Sequence, residues 1–401
     1  MKFRHLMLAL LVPAIICCQK AETPGEDDKN ENPGNENVTP DSGSSATELA
    51  PEVKNGETIL VTNPSVEKFL TDVKYETHSY IKSDLPDWAA ENNVAVSPGK
   101  NTDKPQSYTI RWAKSDAENV TLTLTEGDWN RVYTNIKEEN GVSYVEITNL
   151  CPNATYTYKV AAGETVLTEG SFNTTGKVRQ LFFRPLMRNF RDLGGWTTED
   201  GKTVKYRKIY RAGRPEYISA LGIEDFKAEG IKAQLDLRNT EDVLSEEECT
   251  VKKYYEDYEF CAPLIREGYV WLLRDDQEKA RQCIQFVIDC VNKGKPVFYH
   301  CSLGRDRTGT ITLILLGLLG VPDGDISQEY ELTQFAPFGY SVSSGESTQM
   351  TRMADFDGGA LYFWDNYVES GETFADGVEK YLLSIGISQE DIDTFRENML
   401  E

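Results

Sequence analysis

Histidine is almost missing from this chain: His5, His78 and His300 are the whole supply in 401 residues. That leaves too little material for a histidine-built metal centre or a Ser-His-Asp triad, so neither a metal nor a cofactor is expected. Positive charge is also in deficit, with 42 Lys and Arg against 65 Asp and Glu and a net charge of −23. A nucleic-acid partner needs a basic footprint to displace counterions from phosphate, so that partner class is excluded. Long apolar runs are scarce as well. Near the start, Leu6 to Ile16 carries no charge, but it is too short to span a bilayer.

That run is preceded by Met1-Lys2-Phe3-Arg4-His5 and followed by Cys17-Cys18 and a polar stretch. A basic start and a short apolar middle make a secretory signal. The pattern resembles a bacterial lipoprotein signal, which implies a signal over 1–18 with Cys18 as the lipidated residue; Cys17 is disfavoured by the bulky Ile16 before it. Gln19 gives no hint of inner-membrane retention. The expected location is therefore exported and lipid-anchored to a bacterial membrane, at the outer membrane or cell surface, with a cleaved soluble product as the alternative. Residues 19–50 are rich in Glu, Asp, Asn, Pro, Gly and Ser. Such a stretch cannot bury enough surface to offset its ordering entropy, and reads as a disordered acidic tether.

What the chain does have is His300-Cys301-Ser302-Leu303-Gly304-Arg305-Asp306-Arg307-Thr308-Gly309, fed by the apolar strand from Lys295 to Tyr299. A loop between a buried strand and a helix start aims successive N–H groups at one anion site. The same field stabilises a thiolate: at a helix N-terminus beside arginine a cysteine pKa falls to roughly 3.5–7.5. Cys301 is thus the candidate nucleophile. Arg307 can grip two phosphoryl oxygens bidentately, and Thr308 can donate its hydroxyl to the sulfur. Ser302, Leu303, Gly304 and Arg305 supply the substrate-binding turn, with Gly304 keeping a side chain out of the way. His300 shapes the loop through hydrogen bonds.

These residues resemble the active-site signature of cysteine-based protein tyrosine and dual-specificity phosphatases. The likeness is strongest to a bacterial subfamily whose loop reads His-Cys-x-x-Gly-Lys-Asp-Arg-Thr-Gly, with Arg305 here where lysine is usual. Asn189-Phe190-Arg191-Asp192-Leu193-Gly194-Gly195, followed by Ile209-Tyr210-Arg211-Ala212-Gly213, resembles that subfamily's N-terminal motif. Gln234-Leu235-Asp236-Leu237-Arg238 resembles its strand before the catalytic half. The resemblance covers about residues 178 to 401 and implies a phosphate monoester hydrolase, foremost a protein tyrosine phosphatase working through a cysteinyl phosphate. Its substrate would be a phosphorylated protein or a small phosphorylated molecule. Phosphoinositide or inositol polyphosphate is the alternative substrate, since Arg305 adds a second cation; a non-catalytic surface phosphate-binding protein is the alternative of another class.

The proton for the leaving alcohol needs a carboxylic acid near the leaving oxygen. Asp306 is the first candidate because the resembling subfamily carries an aspartate there. Asp236 and the Asp275-Asp276 pair are alternatives. Arg191 and Asp192 are expected to brace the loop, and Arg238 to form a structural ion pair.

The architecture reads as multidomain. Tyr108 to Trp112, Val120 to Leu124 and Val142 to Ile147 alternate in period two, as short strands of a β-sandwich do. The run from Leu150 to Val160 resembles the tyrosine-corner segment of fibronectin type III domains, and 101–176 is assigned to such a domain. Residues 51–100 are an appended segment that would complete the sandwich. For 177–401 the pattern is alternating strands and helices, giving an α/β domain with a central, mostly parallel sheet flanked by helices. Phe335 to Gly359 is expected to be a lid or a surface loop. Cys249 and Cys261 are a possible pair in an oxidising compartment, with no spacing that compels it.

Overall fold

The computed structural model describes residues 49–75, 85–94, 106–183, 187, 189–215, 218–239, 251–336 and 353–401. The expected signal with Cys18, nearly all of the expected tether, Cys249 and most of the expected lid lie outside them.

The period-two segments form strands whose alternate residues turn inward. Strands β2 (Tyr108–Ala113), β5 (Lys137–Glu139) and β6 (Val142–Ile147) make one antiparallel sheet in the order β2-β6-β5. Strands β1 (Thr58–Leu60), β3 (Val120–Glu126), β4 (Trp129–Tyr133), β7 (Thr155–Ala162) and β8 (Thr165–Thr175) make a second, in the order β1-β8-β7-β3-β4. Ile110 and Trp112 from the first sheet share a core with Leu122, Leu124, Tyr156, Val160 and Phe172 from the second. Between β5 and β6, Asn140 and Gly141 both have positive φ (50° and 81°), the two-residue turn that matches strand twist.

The segment 51–100 is divided between two cores. Its first part adds β1 parallel to β8 and sends Val53, Ile59 and Val61 into the β core. After Asn63, whose side chain accepts from the N–H groups of Ser65 and Val66, helix α1 (Pro64–Asp72) turns away. Val66, Phe69 and Leu70 of α1, with Leu85 and Trp88 of α2 (Leu85–Asn92), belong to the core of the α/β unit. Phe69 and Trp88 both pack on Phe335, at ring distances of 5.3 and 6.1 Å. The chain therefore contributes to the α/β unit before it builds most of the β unit.

The α/β unit has strands β9 (Arg191–Asp192), β10 (Ile209–Ala212), β11 (Ala233–Asp236), β12 (Glu259–Cys261) and β13 (Val297–His300) in the order β12-β11-β13-β10-β9. All pairings are parallel except β9 with β10. Strands β10, β11 and β13 are buried at every position, as strands covered on both faces must be. Helix α3 (Ala220–Ala228), capped by Ser219, follows β10. Helix α4 (Gln277–Asn292) lays Ala280, Ile284, Val287, Ile288 and Val291 on the core, and a π-helical turn over Trp271–Asp275 precedes it. Helix α5 (Asp306–Leu318) is buried along nearly its whole length. It is followed by α6 (Asp323–Glu331), α7 (Met353–Asn366), α8 (Phe374–Ser384) and α9 (Gln389–Met399). Of the expected lid, 337–352 falls outside the described residues, and Met353 onward is helix.

A buried ionic junction joins the β and α/β units. Arg179 reaches Asp192 at 3.1 Å and Glu229 at 2.7 Å, and donates to Asn149 O. Arg131 of β4 pairs with Asp225 of α3 at 2.5 Å, and Trp129 donates to Ala228 O at 2.9 Å.

Candidate active site

Strand β13 ends at His300 and helix α5 begins at Asp306, so Cys301 to Arg305 form the loop between them. Gly304 has φ +70°, and a Cβ there would lie 2.4 Å from the Ala212 carbonyl carbon; only glycine lets the loop lie against the end of β10. Among the described residues, the backbone N–H groups of Ser302, Leu303, Gly304 and Arg305 donate to no protein acceptor. With the start of α5 behind them they make an anion cradle.

Cys301 lies beneath this cradle, 3% exposed. Burial alone would raise its thiol pKa. The Arg307 guanidinium, then the hydroxyl and N–H of Thr308, outweigh burial and hold the thiol below its ordinary value, while Asp306 pulls the other way. Thr308 Oγ1 is buried without a hydrogen-bond partner, which leaves its hydroxyl free to turn to the Cys301 sulfur, whose thiol pKa it lowers. Among the described residues the other cysteines behave oppositely. Burial pushes Cys151 and Cys261 up to about 11 and Cys290 up to about 12.

Arg307 is held across the mouth by Leu237 O and Ile265 O, each at 3.3 Å, and by Asn239 Oδ1 at 3.4 Å. These are long contacts that an oxyanion can replace. Arg305 points elsewhere. It is 4% exposed and its Nε and Nη2 lie 3.0 and 3.3 Å from the two Asp306 oxygens. Asp306 Oδ1 also accepts from Tyr269 at 2.9 Å and Tyr330 at 3.3 Å.

The other candidate residues divide between the base of the loop and places away from it. His300 is fully buried, its Nε2 2.9 Å from Gln234 Nε2 and its Nδ1 3.2 Å from Cys301 O. Asp236 is gripped by Arg238, with Nη2 to Oδ2 at 2.6 Å. Burial opposes its ionisation, but His300 and Arg238 outweigh burial and hold its carboxyl below the usual range. Asp275 is paired with the exposed Arg274 at 2.7 Å, and Asp276, just before α4, is paired with Lys279 at 3.3 Å; neither joins the loop. Asp192 is turned to the Arg179 junction and to the N–H groups of Gly194 and Arg207, each 2.9 Å away, rather than to the loop.

Residues outside the sequence-derived set hold the loop from behind. Asn189 Nδ2 donates to Gly304 O at 2.7 Å, Arg211 Nη2 donates to the same oxygen at 2.6 Å, and Arg214 Nη2 donates to Ser302 Oγ at 2.5 Å. Asn189 and Arg211 stand inside the quoted motifs; Glu329, which joins Arg191 to Arg211, had no signal around it. At the far end of α5 a cavity of about 520 Å³ is lined by Leu318, Gly320, Thr373 and Arg396 and carries none of the loop residues.

A model of the tyrosine phosphatase family matches residues 185–401. A Cupriavidus necator protein named provisionally as a tyrosine-protein phosphatase is 27% identical over 164 residues, 35% of this chain and 59% of its own length. A tyrosine-protein phosphatase of Nostoc commune is 28% identical over 148 residues, 33% of this chain and 48% of its own. The chain thus spans less than two thirds of either curated relative. Among solved structures, Pseudomonas aeruginosa TpbA in complex with pTyr aligns with 47% of this chain and 91% of its own at 14% identity and a TM-score of 0.29. Tk-PTP in its active form aligns with 37% and 91% at 13% identity and a TM-score of 0.23.

Proposed function

The chain belongs to the tyrosine phosphatase family, and from that premise we propose that it hydrolyses phosphate monoesters, phosphotyrosyl protein first among them, through a cysteinyl phosphate. One observation carries the reading: an acidified, buried Cys301 lies under four unengaged N–H groups and beside Arg307. In the first step the Cys301 thiolate attacks phosphorus as the bond to the ester oxygen breaks. That oxygen leaves with its electron pair and takes a proton from a carboxylic acid, for which Asp306 is the candidate. Water then gives a proton back to the Asp306 carboxylate as it attacks phosphorus, the S–P bond breaks, and sulfur departs as a thiolate to which Thr308 donates. Inorganic phosphate is released, and Arg307 grips two phosphoryl oxygens throughout.

The names of the two curated relatives support tyrosine phosphate as the substrate class. Arg305, the extra cation that had suggested a polyphosphorylated headgroup, is spent on Asp306, which favours a single phosphate ester over a phosphoinositide. The basic start Met1 to His5, the apolar run Leu6 to Ile16 and Cys17-Cys18 after it support an exported enzyme lipid-anchored through Cys18. For the β unit, the Tyr156 hydroxyl accepting from Cys151 N at 2.8 Å supports the fibronectin type III-like reading, since a tyrosine corner bonds back to backbone a few residues upstream.

The test is phosphate release by the full chain from phosphotyrosyl peptide, phosphoseryl peptide, phosphoinositide and inositol hexakisphosphate, with Cys301→Ser as control. Turnover of phosphotyrosyl peptide that vanishes in the control supports the proposal. Binding of phosphate with turnover of none makes this a phosphate-binding protein instead.

A further inference from the structure

Glu329 of α6 is 1% exposed and has both carboxylate oxygens committed. Oε1 accepts from Arg191 Nε at 2.6 Å and Oε2 from Arg211 Nη1 at 2.5 Å. Its own carbonyl accepts from Arg191 Nη2 at 2.9 Å. Arg191 in turn donates to Asn189 Oδ1. That bond fixes the Asn189 amide, so its NH₂ faces Gly304 O at 2.7 Å and Thr333 Oγ1 at 3.1 Å. Arg211 reaches Gly304 O directly at 2.6 Å. Two branches, one through Arg191 and Asn189 and one through Arg211, therefore run from a single carboxylate to a single loop carbonyl.

We infer that Glu329 is the positioning residue of the phosphate loop: it holds Arg211 and Asn189 on Gly304 O and so turns the Arg305 N–H into the anion site. The reason is peptide planarity. In a trans peptide the C=O and the following N–H point in opposite directions, so holding the Gly304 carbonyl outward drives the Arg305 N–H inward. Without Glu329 two buried guanidiniums would face each other; burial and Arg211 already press the Arg191 pKa down to about 10, against Glu329. Glu329 touches no substrate. Its effect falls on the loop's fit to the transition state, in which phosphorus carries five oxygen or sulfur neighbours, more than on ground-state phosphate, which Arg307 still grips.

The inference rests on the proposed phosphatase chemistry for its consequence, and the experiment keeps the two separate. Vanadate, which takes five ligands on a cysteine thiolate, and inorganic phosphate are each titrated against the full chain and against Glu329→Gln, with circular dichroism to establish folding. Expected is a loss of about 100-fold in vanadate affinity, the scale of a 1 Å misplacement at a site, with only a few-fold loss for phosphate. A folded variant that loses both equally, or neither, overturns the inference. If Glu329→Gln does not fold, Asn189→Ala, which removes no charge, decides by the same ratio with a smaller shift of about tenfold, and an unchanged ratio there overturns it. A wild-type chain that binds both anions but hydrolyses no ester defeats the phosphatase reading, while the ratio still judges Glu329.

Discussion

The Tyr269 hydroxyl lies 2.9 Å from Asp306 Oδ1 and 2.8 Å from the Tyr330 hydroxyl, so tyrosines from two separate segments close on the one carboxylate inside the phosphate loop. A residue this constrained has a fixed orientation relative to Cys301, which proton delivery requires. Asp306→Asn is expected to slow hydrolysis of an alkyl phosphate far more than that of nitrophenyl phosphate, whose leaving group needs no proton. Tyr269→Phe should show the same selectivity to a lesser degree. Equal losses on both esters in steady-state kinetics would take Asp306 out of the acid role.

The contrast among the cysteines gives a second prediction. Cys301 is held below the ordinary thiol range, whereas burial pushes Cys151 and Cys261 up to about 11 and Cys290 up to about 12. Only a thiolate alkylates rapidly. Iodoacetate near pH 6 should therefore label Cys301 among these four, as peptide mass mapping would show. Thr308→Val should move its rate profile to higher pH, because the lost hydroxyl stabilised the anion. A profile that stays in place would mean Thr308 does not reach the sulfur.

How much was legible beforehand follows from where the information lies. The loop was readable because its nucleophile, turn and arginine occupy ten consecutive residues. The buried strands were readable as apolar runs, and Tyr108 to Trp112 as a period-two strand. Glu329 was not readable, since it works through side chains from β9 and β10, and a buried acid inside Asp323–Glu331 looks like any solvated helical glutamate until the fold closes on it. The destination of α1 was equally hidden. Val66 and Phe69 announce an apolar face, but their partner Phe335 and the Tyr75–Glu331 bond, 256 residues apart at 2.5 Å, are set by tertiary packing alone. Asp192 was assigned to the loop by sitting in a conspicuous motif; the structure spends it on the junction with Arg179 instead.

Helix α1 lies against the segment that carries Glu329 and Tyr330, which makes its packing a condition for the site. Phe69 is fully buried between Trp88 and Phe335, at ring distances of 5.5 and 5.3 Å. Phe69→Ala should cost about 3–5 kcal/mol in urea unfolding, the usual range for a large aromatic removed from a core. Loss of phosphatase activity should precede global unfolding as urea rises, because α6 loosens first. Coincident loss of activity and fluorescence would show that α1 stabilises the fold without any separate hold on α6.

Asp357 of α7 supplies the last prediction, because its acidity is set against its surroundings. It is 4% exposed, and burial followed by the Asp323 carboxylate raises its pKa to about 7; among the described residues no cation pairs with it. Asp323 accepts from Trp364 Nε1 at 2.9 Å, a neutral donor that does little to offset a second negative charge. An aspartate in the unfolded chain sheds its proton near pH 4, so between about 4 and 7 the folded state binds a proton that the unfolded state has released. Stability from this group is complete below that window, falls as pH rises through it, and is flat above. Asp357→Asn cannot titrate. Its stability relative to the wild type should therefore improve from about pH 4 to about pH 7 and level off above that, by on the order of 2 kcal/mol after allowing for solvent screening. Urea midpoints at pH 5, 6, 7 and 8 read this directly. A stability difference that stays constant with pH would mean that the two carboxyls relax apart and that Asp357 ionises without strain on the contact between α6 and α7.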